Sequence, residues 1–217
     1  MRRGRLILIE GLDRTGKSTQ ATLLLQRLQP NAQLIKFPDR TTPIGMLIDK
    51  YLTQETFELP DQAAHLLFSA NRWELGARIK ELLLIGTHVI LDRYVYSGIA
   101  YSAAKNIPGM DLAWCFQPDK GLVKPDLTIF FLHDEKHGHE LENRSGYGNE
   151  RYERVEFQRA VLAQFQDMFE QLEHSGYREK HLVTLQVSGK SIDSVANDVW
   201  NAVERHLKAE ATDFLYF

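Results

Sequence analysis

The sequence predicts an α/β domain, a five-stranded parallel sheet flanked by helices, and three observations carry that expectation. Five short apolar runs recur along the 217 residues, each separated from the next by helical patterning. The runs are nearly continuous in apolar residues, which suits parallel strands covered on both faces. The octapeptide GLDRTGKS, Gly11 to Ser18, stands between the first run and the first helical pattern, where a strand, loop and helix unit places it.

In chain order, strands are expected at Leu6 to Glu10, Gln33 to Phe37, His88 to Asp92, Leu127 to Leu132 and Leu182 to Val187. Helices are expected at Lys17 to Leu28, Ile44 to Leu52, Asp61 to Gly86, Asp111 to Phe116, Glu150 to Glu173 and Ile192 to Lys208. Pro60 before the third helix and Gly86 at its end follow the usual asymmetry of helix termini, and Pro125 breaks the chain before the fourth strand. The polar stretch His133 to Asn149 has no element of its own, and a segment that long reads as a lid over a water-excluding site. One domain over residues 1–217, with a lid at about 134–149, is the expected organisation.

Composition narrows the function classes. Net charge is −3 with scattered basic residues, which argues against a nucleic-acid binder. No apolar run approaches the roughly 18 residues of a membrane span, so a soluble, intracellular protein is expected. Cys115, alone in the chain, can form no internal disulfide and reads as a small core residue in a reducing compartment. Arg2, Arg3 and Arg5 read as a solvated N-terminus, and Phe214 to Phe217 as an aromatic tail packed on the domain or a partner.

GLDRTGKS matches G-x-x-x-x-G-K-[ST]. Its glycines let backbone N–H groups converge on phosphate oxygens at the positive end of a helix. Lys17 then reaches the β- and γ-phosphates and Ser18 serves a metal ion. The loop alone leaves kinase, GTPase, transport ATPase and ligase open. HVILDR puts Asp92 at a strand end, where a carboxylate can hold metal-bound water, and Arg93 directly after it. HLLFSANRWE sets Phe68 and Arg72 on one helical face, able to stack a base and bond its edge. Those two residues read equally well as a core Phe and a surface Arg. His133, His137 and His139 suggest a metal site, but without ligand spacing a solvated loop is the favoured reading.

Taken together, GLDRTGKST, FPDR, LLFSANRW, DRYVYSGIAYSAAK and GNERYE resemble the thymidylate kinase family in order and spacing, from Arg5 to about Gln158, in wording that resembles its eukaryotic, and among those its fungal, members. The resemblance implies a P-loop nucleoside monophosphate kinase fold with a mobile lid, and transfer of the γ-phosphoryl of ATP to dTMP. It implies catalytic roles for Arg14, Lys17 and Arg93. ATP falls to Gly11, Arg14, Thr15, Gly16, Lys17, Ser18 and Thr19, with Arg144 and Lys190 near adenine. For dTMP it implies Asp13 on the 3′-hydroxyl, Arg40 and Arg93 on phosphate, Phe68 stacked on thymine, Arg72 on its O4, and Tyr101 where a ribose 2′-hydroxyl would lie. Mg²⁺ is the implied cofactor, held by Ser18 and, through water, Asp92. The implied partners are ATP, dTMP and a second copy in a homodimer, in the cytoplasm or also the nucleus, with no nucleic acid or membrane. The competing readings are another pyrimidine monophosphate kinase and a non-catalytic nucleotide switch, for which an NKxD-like segment is lacking.

Overall fold

The computed structural model describes residues 2–133, 151–171, 173, 175–209 and 213–217. Five strands, β1 (Leu6–Gly11), β2 (Ala32–Lys36), β3 (His88–Asp92), β4 (Leu127–Leu132) and β5 (Leu182–Gln186), form one sheet in the order β2-β3-β1-β4-β5. Every pairing is parallel, and in the centre Leu8 faces Leu91 on one side and Thr128 on the other. All six residues of β1 are buried, which is why it reads as an unbroken apolar run until Glu10.

Helices α1 (Lys17–Leu28), α2 (Pro43–Thr53), α3 (Asp61–Leu84), α4 (Val95–Ala103), α5 (Leu112–Phe116), α6 (Val155–Gln171), α7 (Ser175–His181) and α8 (Ile192–Lys208) surround the sheet among the described residues. Ile7, Ile9, Ile90 and Phe131 pack on one face with Leu24 of α1 and Val199 of α8. Leu6, Leu8 and Leu91 pack on the other with Ile79 of α3, Ile99 of α4 and Phe165 of α6. A smaller cluster joins α2 and α3 through Ile48, Tyr51, Leu52 and Ala64, with Phe68 and Tyr152 at its border. Thr42, whose side chain accepts from the Gly45 amide at 2.9 Å, and Pro43 begin α2 where sequence placed Ile44.

Two expectations are corrected. Arg3 and Arg5 are not a solvated end: Arg3 grips Asp126 at 2.6 and 2.8 Å, and Arg5, 6% exposed, donates to the Ala209 carbonyl. Asp126 also accepts from the Leu6 amide, so these charges tie β1 to the start of β4. The apolar run at Val95–Ala103, left without an element from sequence, is α4. The tail packs on the domain: Phe217 lies 5.2 Å from Tyr96 and 6.0 Å from Tyr94, and exchanges backbone bonds with Gly121 and Leu122. Among the described residues no helix is long and apolar enough to cross a membrane.

Candidate active site

The chain reverses its progress across the sheet at β1, so the loops after β1 and β3 leave side by side, the usual crevice of an open parallel sheet. The loop after β1 holds GLDRTGKS. Gly11 is required there because a Cβ would come within 2.7 Å of the Phe131 carbonyl oxygen. Gly16, at φ 90°, occupies the left-handed region immediately before α1 and turns the backbone into the helix N-terminus. Thr15 Oγ1 donates to the Leu12 carbonyl at 3.0 Å, and the buried Lys17 ammonium donates to the same oxygen. Ser18, exposed beside Thr19, donates to Asp92 at the end of β3.

Beyond the loop opens a cavity of about 280 Å³, lined by residues that include Asp13, Arg40, Phe68, Arg72, Arg93 and Tyr101. Sequence reading proposed all six for one ligand, from four separate segments. Phe68 and Arg72 both come from α3. Arg72 is gripped by Asp119, in the short 3₁₀ turn Gln117–Asp119, through Nε at 2.9 Å and Nη2 at 2.6 Å. Its guanidinium lies against Gly98 of α4, where a Cβ would stand 2.5 Å from Nη1. Arg40 is half exposed and pairs with Asp49 of α2 at 2.9 Å.

Arg93 joins the loop to the cavity. Its guanidinium donates to Gly11 O at 3.2 Å, to Ser97 Oγ at 3.0 Å and to the Asp13 carboxylate, and lies 5.1 Å from the centre of the Tyr101 ring. Tyr101 donates its hydroxyl to Asp13 at 2.9 Å. Arg93 and Arg14 hold φ of 68° and 62°, a conformation that non-glycine residues rarely adopt and that clusters at functional sites. Arg14 donates through Nε and Nη2 to Glu153 Oε1 at 3.1 and 2.9 Å.

The electrostatics follow from this crowding. Burial, with Arg93 adding repulsion, lowers the Lys17 pKa to about 7, against the pull of Asp13, Asp92 and Glu10. Burial also opposes charge on Arg93, but Tyr101, Asp13, Glu10 and Asp92 together raise its pKa above the ordinary arginine value. For Asp13, burial favours the neutral acid, while Arg93 and Lys17 outweigh it and depress the pKa. The region can therefore supply concentrated positive charge on one side and oriented carboxylates on the other.

Several contributors escaped sequence reading. Glu10, fully buried, accepts from the Tyr94 and Ser97 amides at 2.9 and 3.0 Å and from Ser97 Oγ, so it fixes the turn that carries Arg93. A lone acid closing an apolar run beside the loop was its available signal. Gln158 of α6 donates to Asp13 Oδ2 at 2.7 Å and accepts from its amide at 3.1 Å. Asp119 had no local signal, and Glu153, though it closes the GNERYE segment, was given no role. Lys190, exposed, pairs with Asp198 at 2.7 Å and does not line the cavity. Arg144, His137, His139 and the expected lid at about 134–149 lie outside the described residues; His133 ends β4's exit at its border.

Comparison with known proteins adds an independent finding. A family model described as thymidylate kinase matches residues 9–199. The thymidylate kinase of Schizosaccharomyces pombe is 47% identical over 216 residues, 98% of each chain. That of Homo sapiens is 44% identical over 202 residues, covering 91% of this chain and 89% of the human one. A solved structure of thymidylate kinase from Candida albicans has a TM-score of 0.87 at 45% identity, covering 99% of this chain and 98% of that one.

Proposed function

The chain belongs to the thymidylate kinase family, and from that premise we propose how its residues divide the family's reaction. It is a nucleoside monophosphate kinase: the γ-phosphoryl group of ATP passes to dTMP, giving ADP and dTDP. The observation that carries the assignment of sites is the reach of Arg93 from loop carbonyl and Asp13 into the cavity. A cation so placed can touch donor and acceptor phosphates together.

The loop, from Gly11 through Thr19, is assigned to the ATP phosphates, and the cavity to dTMP. Phosphoryl transfer has a loose transition state that asks little covalent work of the protein, so alignment and compensation of negative charge supply most of the rate. Lys17 and Arg93 hold the phosphates from the two sides. Arg14 is assigned to the transferring phosphoryl, sharing its guanidinium with Glu153. Arg40 takes the acceptor phosphate at the cavity's outer edge. Phe68 stacks thymine, Arg72 donates to O4, Asp13 accepts the 3′-hydroxyl, and Tyr101, bonded to Asp13, crowds the 2′ position. Lys190, with Arg144, is assigned to the adenine end.

The hydroxyl of Ser18 and the carboxylate of Asp92 are bonded to each other and are hard oxygen donors, the kind that suits Mg²⁺. Bound there, the ion supplies charge neutralisation at phosphate oxygens, with Asp92 acting through water. Two copies are proposed to pair through helices, which the exposed Leu66 and Trp73 of α3 support; sedimentation velocity measures this.

A coupled ADP-release assay across a panel of monophosphates tests the reading. The highest kcat/KM is expected for dTMP, and a higher value for dCMP, UMP or GMP overturns it.

A further inference from the structure

Phe217, to which the assignments above give no role, is fastened to the segment that follows Asp119. Leu215 to Phe217 run antiparallel to Gly121 to Lys124: the Gly121 amide donates to Phe217 O at 3.0 Å, the Phe217 amide to Leu122 O at 3.0 Å and the Lys124 amide to Leu215 O at 2.7 Å, with Tyr216 bridged to Val123. Lys120 at φ −59° and ψ 125°, Gly121 at φ 101° and a bond from the Leu122 amide to Asp119 O at 3.1 Å make Asp119 to Leu122 a type II turn. Leu122 therefore holds the Asp119 backbone with its amide and Phe217 with its carbonyl.

Helix α3 fixes the same region from its own side, where Trp73 Nε1 donates to Pro118 O at 2.7 Å and Ser69 Oγ to Asp119 at 2.9 Å. The Phe217 ring packs on three further aromatic rings. Its centre lies 5.2 Å from that of Tyr96, 6.0 Å from Tyr94 and 6.3 Å from Phe116. Phe116 directly precedes the 3₁₀ turn Gln117–Asp119, and Tyr94, directly after Arg93, lines the cavity. Phe217 itself does not line it. Asp119 grips the Arg72 guanidinium at two points, so a shift of the turn passes to Arg72, and a close-packed interior transmits such shifts rather than absorbing them.

We infer that Phe217 is a positioning residue for the acceptor site: its backbone bonds and its ring hold the turn that carries Asp119, and through Asp119 they hold Arg72 at the cavity. This rests on the reading that dTMP occupies the cavity with its base toward Arg72. The segment at Leu215 to Phe217, far from the phosphate loop in sequence, thereby sets affinity for one substrate and not the other.

Steady-state kinetics with each substrate varied in turn is the test. Phe217→Ala is expected to raise the KM for dTMP about tenfold, because a displaced donor leaves O4 unpaired, with the KM for ATP nearly constant. Should that variant not fold, Phe217→Val serves in its place, with a smaller shift in the same direction. Tyr216→Ala, which removes a 46% exposed ring from the same segment, is expected to change neither constant. An unchanged KM for dTMP in the Phe217 variant overturns the inference. So does an equal rise in both constants, or an effect of Tyr216→Ala as large as that of Phe217→Ala, because each describes general loosening. In the Asp119→Leu, Arg72→Met background the grip is gone, and Phe217→Ala is expected to add no further rise; an additive rise overturns the route through Asp119. The same background separates the levels: a raised KM for dTMP in it, with no effect of Phe217→Ala on the otherwise unaltered chain, removes the inference and spares the cavity reading, whereas no change in either removes both.

Discussion

Arg72 and Asp119 form a two-point ion pair buried at both ends, with Nε to Oδ1 at 2.9 Å, Nη2 to Oδ2 at 2.6 Å, and side chains 3% and 0% exposed. Ser69 donates to the same carboxylate at 2.9 Å, so the acid is held before it holds the arginine. A planar guanidinium gripped at two points along one edge cannot rotate, which leaves its remaining N–H groups for the cavity that it lines. Loss of one partner strands a buried charge, whereas loss of both can be nearly neutral. Asp119→Leu is therefore expected to destabilise the fold by about 3–5 kcal/mol, and adding Arg72→Met to recover most of that loss. Urea unfolding measures the stabilities. kcat/KM for dTMP should stay depressed in the double variant, and its return to normal would show the pair to be structural only.

Gly98 meets the same guanidinium from the other side. An added methyl would stand 2.5–2.8 Å from Nη1, Nη2 and Cζ of Arg72, and Asp119 leaves that group little room to yield. Gly98→Ala should cost about 1–3 kcal/mol through overpacking. It should also raise the KM for dTMP about tenfold, since a displaced donor leaves O4 unpaired, with the KM for ATP nearly constant. Steady-state kinetics with each substrate varied in turn checks this, and equal changes in both constants count against a local effect.

What could be read from the sequence divides along physical lines. The bounds of α1, β3 and β4 fall where the apolar runs and the phosphate-loop pattern put them, because a buried parallel strand and a loop that must bend at fixed glycines leave local marks. Helix α4 left none: Val95, Tyr96, Ser97, Ile99, Ala100, Ser102 and Ala103 are all buried, so no polar face gives a helical period. The short α7 is too polar to show one. Phe68 and Arg72 were readable as a base-binding face, but what fixes Arg72 was not, since its partner Asp119 lies 47 residues away. The same distance problem hid the Arg3 clamp on Asp126, 123 residues off, which turned a basic cluster into a buried fastening. The left-handed backbone at Arg14 and Arg93 has no signature in residue type.

Arg14 and Lys17 are assigned to charge that grows as the phosphoryl group transfers, rather than to holding dTMP. Such groups act more strongly on the transition state than on the ground state. Arg14→Ala should lower kcat by about 10³ or more, the range of an arginine supplied to a transferring phosphoryl, and change the dissociation constant of dTMP only a few-fold. Lys17→Ala should behave alike, with weaker ATP binding added. Turnover together with dTMP affinity from calorimetry decides the matter. An Arg14→Ala enzyme within a few-fold of normal turnover would leave the guanidinium with its Glu153 contact as its principal role.

Lys17 also links nucleotide binding to protons. Its pKa of about 7, set first by burial and then by the nearby Arg93, means that above pH 7 the side chain is mostly neutral. The anionic phosphates of ATP favour the charged ammonium and raise that pKa on binding. Between the two values the complex holds more protons than the separate partners, so binding takes up protons and weakens as pH rises through that window. At pH 8, where a pKa near 7 leaves about a tenth of the ammonium protonated, uptake should approach roughly one proton per ATP. Near pH 6 the lysine is already charged and its share of the uptake should fall toward zero. Titration calorimetry in buffers of different ionisation enthalpy reads the number directly. Lys17→Met, which cannot carry the proton, should abolish the uptake at pH 8; uptake that survives in this variant assigns the proton to another group, and no uptake in the unaltered protein contradicts the depressed pKa.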